Sequence, residues 1–477
     1  MPTPAPIGIA LRVGQACLIA GSFAFVMAPA SASAETIEQA MVSAYNNSAQ
    51  LRGEQARLRA SDETLAQAQS GYRPTISSEF DFTSQSTRTD PASPNDGTIN
   101  PRTSTLTAVQ PLFDGFQTVN SVKQADASIR AERENLRAVE EQVMLNAVTA
   151  YMDVVRDRNI LSVRDQNVKV LTEELRSVKA RFDVGEVTRT DVEQARATLA
   201  AAQSAQALAR ANLRNSAARF TLATGSPPTR LVEPPPPLRL LPGTVDEAIA
   251  SAIAARPTVV QAAFLEQAQR SNIRVLTGQL LPKIELDGSL SETDGPAMGV
   301  KEVETSKITG RIIVPIYEAG SVRAQIRQAK ETRQGLLENI EQAREQAQSD
   351  ASTAWSFLES SRAQLEADNI QVSSAATALQ GVRAELQVGQ RTELDVLTAE
   401  QTLLTAQVAV VSDKHDIVVN AYTVLATMGR LTADNLHLNT PLYDVEAHYR
   451  QTNGKWFDIQ VNREEGYAGY DVGLSQK

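Results

Sequence analysis

The sequence predicts a mainly α chain with a transmembrane β part, built from two copies of one unit. Three observations carry this reading. Residues 181–203 and 385–407 match at ten of twenty-three positions when offset by 204, and self-similarity at a fixed spacing marks a repeat architecture. Two stretches, 117–184 and 321–386, run for more than sixty residues without proline, the first without glycine and the second with only Gly335 and Gly381. Four short segments alternate apolar and polar residues with period two, the pattern of strands with one greasy and one wet face.

Taken in order, residues 1–34 have a lone charge at Arg12, an apolar run from Ala16 to Ala28 and small residues Ala32-Ser33-Ala34 before Glu35. This is the pattern of a secretory leader cleaved after Ala34. Cys17, the only cysteine, lies inside it, so the exported chain is expected to have no disulfide, thiol nucleophile or cysteine metal site. The whole chain has a formal charge of −10; without Arg12 it is −11, which argues against nucleic acid as a partner. No stretch after the leader holds the ~18 consecutive apolar residues of a membrane helix, so any membrane span must be β.

Repeat one is expected over 35–226 and repeat two over 244–430, separated by a proline-rich linker at 227–243 and followed by a partly disordered tail at 431–477. Each copy opens with a helix behind a capping box, Thr36-x-x-Gln39 and Thr244-x-x-Glu247, whose side chains satisfy free first-turn amides. Each such helix is expected to break, at Asn46-Asn47-Ser48 and at Arg256-Pro257, and to resume to about 70 and 278. Strands of ~11–12 residues follow: Ile76, Ser78, Phe80 and Phe82 alternate with Ser77, Glu79 and Asp81, and Leu106 through Leu112 with Thr105, Thr107 and Val109. Residues 284–290 and 307–314 repeat the pattern. A small sheet lying on the protein's own helices is the alternative at this point.

The long segments then read as helical rods of roughly 100 Å at 1.5 Å per residue, with Val168, Leu171, Leu175, Val178 and Phe182 forming a coiled-coil seam. Val184-Gly185 and Val388-Gly389 supply a left-handed C-cap. Thr190-x-x-Glu193, and Thr392 or Asp395 in copy two, are read as caps of helices returning over 191–224 and 395–428. Alanine-rich faces around Ala195, Ala202 and Ala205 permit close approach of neighbours. Four strands cannot close a membrane barrel, because buried backbone groups must all be paired and the smallest such barrels use eight strands. Oligomerisation is therefore expected.

Catalysis has little support. His415, His437 and His448 are the only histidines, too scattered for a metal site, and His415 reads as a solvated helix position. There is no nucleophile elbow or phosphate loop, and no cofactor or metal is expected.

The order of helix, strand pair beginning at a proline, Gln110-Pro111-Leu112-Phe113-Asp114-Gly115, long helix and Val-Gly-x-x-x-x-x-Asp-Val turn, all duplicated, resembles the TolC family of outer-membrane efflux and secretion channels. The resemblance covers 36–430. It implies a homotrimer with four strands per protomer in a twelve-stranded outer-membrane barrel, continued by a periplasmic α-helical barrel of coiled coils. It further implies a periplasmic adaptor (membrane fusion protein) and an inner-membrane ABC or proton-driven transporter as partners. At the periplasmic aperture it places Asp395 at a lumen-facing ring, Arg391 at a latch and Asp191 at the matching position of copy one. The chain departs from the pattern at Leu386, where a latch tyrosine is expected, and at Thr398, where a second ring aspartate is expected. Asp191 and Asp395 can equally serve as helix N-terminal charges. Val184, Gly185, Val388 and Gly389 are implied as adaptor-docking tips. The tail, with Leu442-Tyr443-Asp444, His448-Tyr449 and Lys455-Trp456-Phe457, is similar to that of type I secretion members. The reading is thus a passive outer-membrane exit duct, for type I protein secretion or alternatively multidrug efflux. A periplasmic adaptor and a soluble coiled-coil scaffold fit less well.

Overall fold

The computed structural model describes residues 35–456; the leader and the end of the tail from 457 onward lie outside the described residues. Two helical hairpins, each made from one very long and one shorter helix, are joined at one end to a four-stranded sheet.

Repeat one opens with α1 (Ile37–Asn47) and α2 (Ala49–Gln69). Thr36 and Gln39 form a full capping box, and Ser48 ends α1 in an extended conformation while its hydroxyl accepts from the Leu51 amide to start α2. The helix therefore breaks at a residue that stops one segment and caps the next. In repeat two, α5 (Val245–Ala255) and α6 (Pro257–Gly278) break at Arg256-Pro257, because proline disfavours helical geometry in the residue before it and suits the first helical position. Thr244 caps α5, but the Glu247 carboxylate accepts from the Gly243 amide instead of closing a box. Within Val245–Gly278 an 18-residue stretch has a mean hydropathy of 1.4, apolar enough to cross a membrane; the span is two helices, and Ala248, Ala252 and Val259 are buried against protein.

The strands are β1 (Thr75–Phe82), β4 (Arg102–Phe113), β5 (Lys283–Ala297) and β6 (Val300–Ile313), antiparallel in the order β1-β4-β5-β6. The hairpin of each repeat is thus joined to the other through β4 and β5, with Leu106 opposite Leu290 and Thr107 opposite Ser289. Between β1 and β4, a short ladder of β2 (Gln85–Thr87) and β3 (Gly97–Ile99) occupies the loop, which absorbs the difference in length between the repeats. Strands of 8, 12, 15 and 14 residues replace the expected uniform length. Toward the far ends of β5 and β6 the otherwise apolar face turns acidic, with Glu292 opposite Glu304 and Asp294 opposite Glu302, and the strands meet in a two-residue turn at Met298-Gly299. Pro111 sits in an inner strand at a register shift, where a missing amide is tolerated.

One face of the sheet is apolar and bare: Phe82 is 79% exposed, Ile308 82% and Ile312 68%. The other carries cross-strand hydroxyl pairs, Thr103 with Thr293 and Thr105 with Ser291, and the pair Arg311–Asp287 at 2.8 Å. The alternative of a sheet lying on its own helices fails, since burying this face would have covered it.

Helices α3 (Gln117–Asp183) and α7 (Ser321–Gln387) are each 67 residues long, and α7 begins and ends 204 residues after α3 (117 to 321, 183 to 387). Returning helices α4 (Arg189–Thr224) and α8 (Glu393–Thr427) pack on them. The seam holds at Leu171, which packs with Ala202 and Leu397, and at Val178, which packs with Val192 and Ala195. It ends there, because Phe182 is 41% exposed.

The main core lies midway along the rods, where α1, α3, α4 and α8 meet the linker and tail around Met144, Tyr151, Phe220, Leu425 and Leu431. The Tyr151 hydroxyl accepts from the Val232 amide at 2.9 Å and donates toward the Val232 carbonyl at 2.6 Å, pinning the linker. His415 is a correction to the sequence reading. It is buried, with Nε2 3.1 Å from Asp153 and Nδ1 2.7 Å from Asp416, because its face of α8 turns toward α3 and not toward solvent.

Residues 431–456 cross onto repeat one. The Ala433 amide donates to Glu140 and the Tyr443 amide to the Tyr45 hydroxyl. The short helix α9 (Ala447–Thr452) sets His448 3.1 Å from buried Asp62 and Tyr449 3.1 Å from Asp126. Expected disorder over 459–477 falls outside the described residues.

Candidate aperture at the hairpin tips

At the end farthest from the sheet, both hairpins reverse through one turn built twice. Val184 closes α3, Gly185 has φ +81°, and the Gly185 and Glu186 amides donate to the Phe182 and Arg181 carbonyls, each at 2.9 Å. Gly389 (φ +79°) and Gln390 donate likewise to Leu386 and Glu385 at 3.0 and 2.9 Å. These paired bonds form a Schellman motif, in which a left-handed residue satisfies the last helix carbonyls. Only glycine enters that conformation without strain. Val184 and Val388 project from the apices, 72% and 70% exposed.

The returning helices start two residues earlier than the sequence suggested. Thr188, not Thr190, caps α4, with Asp191 and not Glu193 as the reciprocal acid. Thr392 and Asp395 repeat the arrangement on α8. The Thr188 amide and hydroxyl donate to Asp191 at 2.8 and 2.7 Å, and those of Thr392 to Asp395 at 2.9 and 2.8 Å. Thr190-x-x-Glu193 has the same spacing, so residue type alone does not tell the two boxes apart; the structure closes the one from Thr188 to Asp191. The Thr392 amide and hydroxyl hold the Asp395 carboxyl below the ordinary range, and the Thr188 hydroxyl and amide do so for Asp191. The same contacts favour the charged form of both carboxylates.

Arg391 turns back to Glu385, 2.8 Å away, and lies near enough to Asp395 to favour its charge. Leu386 is half-buried one turn before the apex, and exposed Thr398 donates to the Leu394 carbonyl one turn beyond Asp395. A groove lined by Thr398, Gln194, Gln371, Leu394, Gln401 and Thr405 runs past it between the hairpins.

The two tips are joined by residues that sequence reasoning missed. Arg181 of α3 reaches Glu393 of α8 at 3.0 Å and Glu186 at 3.5 Å. Glu393 is 4% exposed. Arg383 of α7 binds buried Glu400. Glu174 of α3 shares a hydrogen bond with Glu393, which together with burial raises its carboxyl to about 7. Among the described residues no N–H or hydroxyl donates to Glu393 Oε1. Three carboxylates and two guanidiniums thus occupy one half-buried seam. The available signal is a set of acids beside the apolar seam, at the level of Leu175 and Val396.

Tips of this build, on rods tied to an amphipathic open sheet, match known proteins. The family described as outer membrane efflux protein matches residues 40–226 and 248–430. The chain belongs to this family. Outer membrane efflux protein BepC of Brucella suis biovar 1 (strain 1330) is 38% identical over 454 residues, 94% of this chain and 96% of BepC. Outer membrane protein TolC of Escherichia coli (strain K12) is 24% identical over 424 residues, 86% of this chain and 85% of TolC. The Campylobacter jejuni CmeC outer membrane channel has the same fold, with a TM-score of 0.74 over 88% of this chain and 89% of its own at 16% identity. As an outer membrane efflux family member of TolC-like fold, the chain is an exit duct of tripartite export, seated in the outer membrane and reaching into the periplasm. The family consists of channels, not enzymes. Its TolC-like members are homotrimers that work with adaptors and inner-membrane transporters.

Proposed function

We propose that three copies of this chain close one duct, with twelve strands in the outer membrane and six hairpins around a periplasmic tunnel. The observation that carries this is the open sheet. β1 pairs only with β4 and β6 only with β5, so each protomer has two bare edges and an apolar outer face. In lipid no edge can stay unpaired, and β6 of one copy meeting β1 of the next satisfies both. Asp395, and with it Asp191, lines the tunnel's narrow end, where threefold symmetry gathers like carboxylates into a cation-attracting ring. Arg391 and Glu385 latch that end. Leu386 and Thr398 leave it with a weaker latch and a single secure ring. The exposed apices at Val184, Gly185, Val388 and Gly389 receive the hairpins of a periplasmic adaptor, and an inner-membrane ABC or proton-driven transporter supplies energy.

For cargo, the 38%-identical relative is named an efflux protein, which supports multidrug efflux as the reading for this chain. Type I protein secretion is the second reading, favoured by the tail whose Tyr443, His448 and Tyr449 dock on repeat one. Deleting the gene separates them: drug hypersensitivity with intact secretion supports efflux, and loss of a secreted protein with unchanged sensitivity supports secretion. A soluble monomer on fractionation overturns the duct itself; a heat-resistant oligomer in outer-membrane vesicles supports it.

A further inference from the structure

The two repeats align in sequence at an offset of 204 through the tips, yet three charges there are inverted. Arg181 corresponds to Glu385, Arg189 to Glu393 and Arg196 to Glu400. Within the protomer the seam between hairpins is α3 against α8, clasped by Arg181–Glu393 at 3.0 Å. In a closed ring of alternating hairpins, each hairpin needs a second seam. The counterpart of α3 is α7 and that of α8 is α4, so this second seam sets α7 of one copy against α4 of the next. The residues matching the observed clasp are then Glu385 and Arg189. They are again opposite in charge, with donor and acceptor exchanged.

We propose that Glu385 of one protomer clasps Arg189 of the next, repeating across the boundary between copies the clasp seen within one. Arg189 is exposed and forms no salt bridge among the described residues. α4 and α7 also leave large apolar side chains bare, Leu208 at 63%, Leu222 at 88% and Ile370 at 62%, as faces awaiting a second copy do.

The inference rests on the trimeric duct, and the experiment separates the two. In a Cys17→Ala chain, which has no other cysteine, Arg189→Cys and Glu385→Cys are combined and treated in isolated outer membranes with a short bis-maleimide. Dimer and trimer bands on a denaturing gel, absent from either single-cysteine chain, are expected. A native oligomer that yields only monomer bands overturns the clasp while leaving the duct standing; no native oligomer at all overturns the duct and the clasp with it. Charge exchange supplies the second readout. Glu385→Arg and Arg189→Glu each weaken the heat resistance of the oligomer, and the double exchange recovers it. Because Glu385→Arg also loses its own Arg391 contact, recovery is the deciding measurement, and a double variant no better than the worse single one refutes the pairing.

Discussion

Glu174 offers the sharpest test of how the tips are held. Its carboxyl is raised from 4.5 to about 7 by the hydrogen bond shared with Glu393 and by burial, with Arg383 and Arg181 opposing. For an acid, a raised value means that the packed seam binds a proton more tightly than the separated hairpins do. The seam is therefore firmest below about 4.5, weakens as pH rises, and has lost this contribution above about 7. A shift of this size corresponds to about 3.4 kcal/mol at 1.36 kcal/mol per unit. Half-burial with solvent screening cuts that roughly in half, leaving about 1.7 kcal/mol, or on the order of 20-fold in the equilibrium between packed and splayed tips. Glu174→Gln keeps the hydrogen-bonding shape and removes the titration. Conductance across planar bilayers, recorded from pH 5 to 8.5, is the assay. The native channel is expected to open progressively from pH 5 to about 7 and to level off above it, and the variant to rise less steeply, the remaining slope coming from Glu400, whose carboxyl burial also raises. Asp191 and Asp395 do not confuse the window, since their carboxyls are held below the ordinary range. A native profile without slope, or a variant with the same slope, refutes the shared proton.

Three further outcomes are expected. Asp395→Ala removes both the cap of α8 and the proposed ring; single-channel records should lose divalent-cation block, and unchanged block ends the ring assignment while leaving the cap. Gly185→Trp places a bulky side chain at an apex with φ +81°; export should fall to background while the heat-resistant trimer persists, and retained export removes this tip from the docking site. Phe220→Ala empties a fully buried position beside Tyr151, their rings 6.3 Å apart. A loss of about 3–5 kcal/mol is expected for such a truncation, read from denaturant midpoints, and a change under about 1 kcal/mol shows that the site collapses to fill the space.

The parts of this fold that follow from local chemistry were legible. A helix that ends at Gly185 or breaks at Pro257 is dictated by φ preferences within one or two residues, and the 67-residue rods needed only the absence of breakers. What the sequence hid depends on which face of a rod meets another rod. His415 looked solvated because its neighbours Asp413, Lys414 and Asp416 are polar, yet only the packing of α8 on α3 decides that its ring is covered. Glu174, Glu393 and Glu400 were concealed for the same reason. A carboxylate beside an apolar seam reads as a wet flank until the opposite hairpin arrives.

The duplication explains why one chain can make a ring whose seams differ. Equal rod lengths, 67 residues in each copy, let both hairpins reach the same depth, so that Gly185 and Gly389 reach one level. Divergence is confined to what must differ. Repeat one accepts the tail through Asp62, Asp126 and Glu140, whereas the matching positions of repeat two include Arg270, Lys330 and Arg344, which cannot accept the same donors. One tail per chain therefore binds one hairpin in two. Charge inversion at the tips and charge inversion under the tail thus act alike: each makes the two copies chemically distinct at a surface that identical residues would have left equivalent.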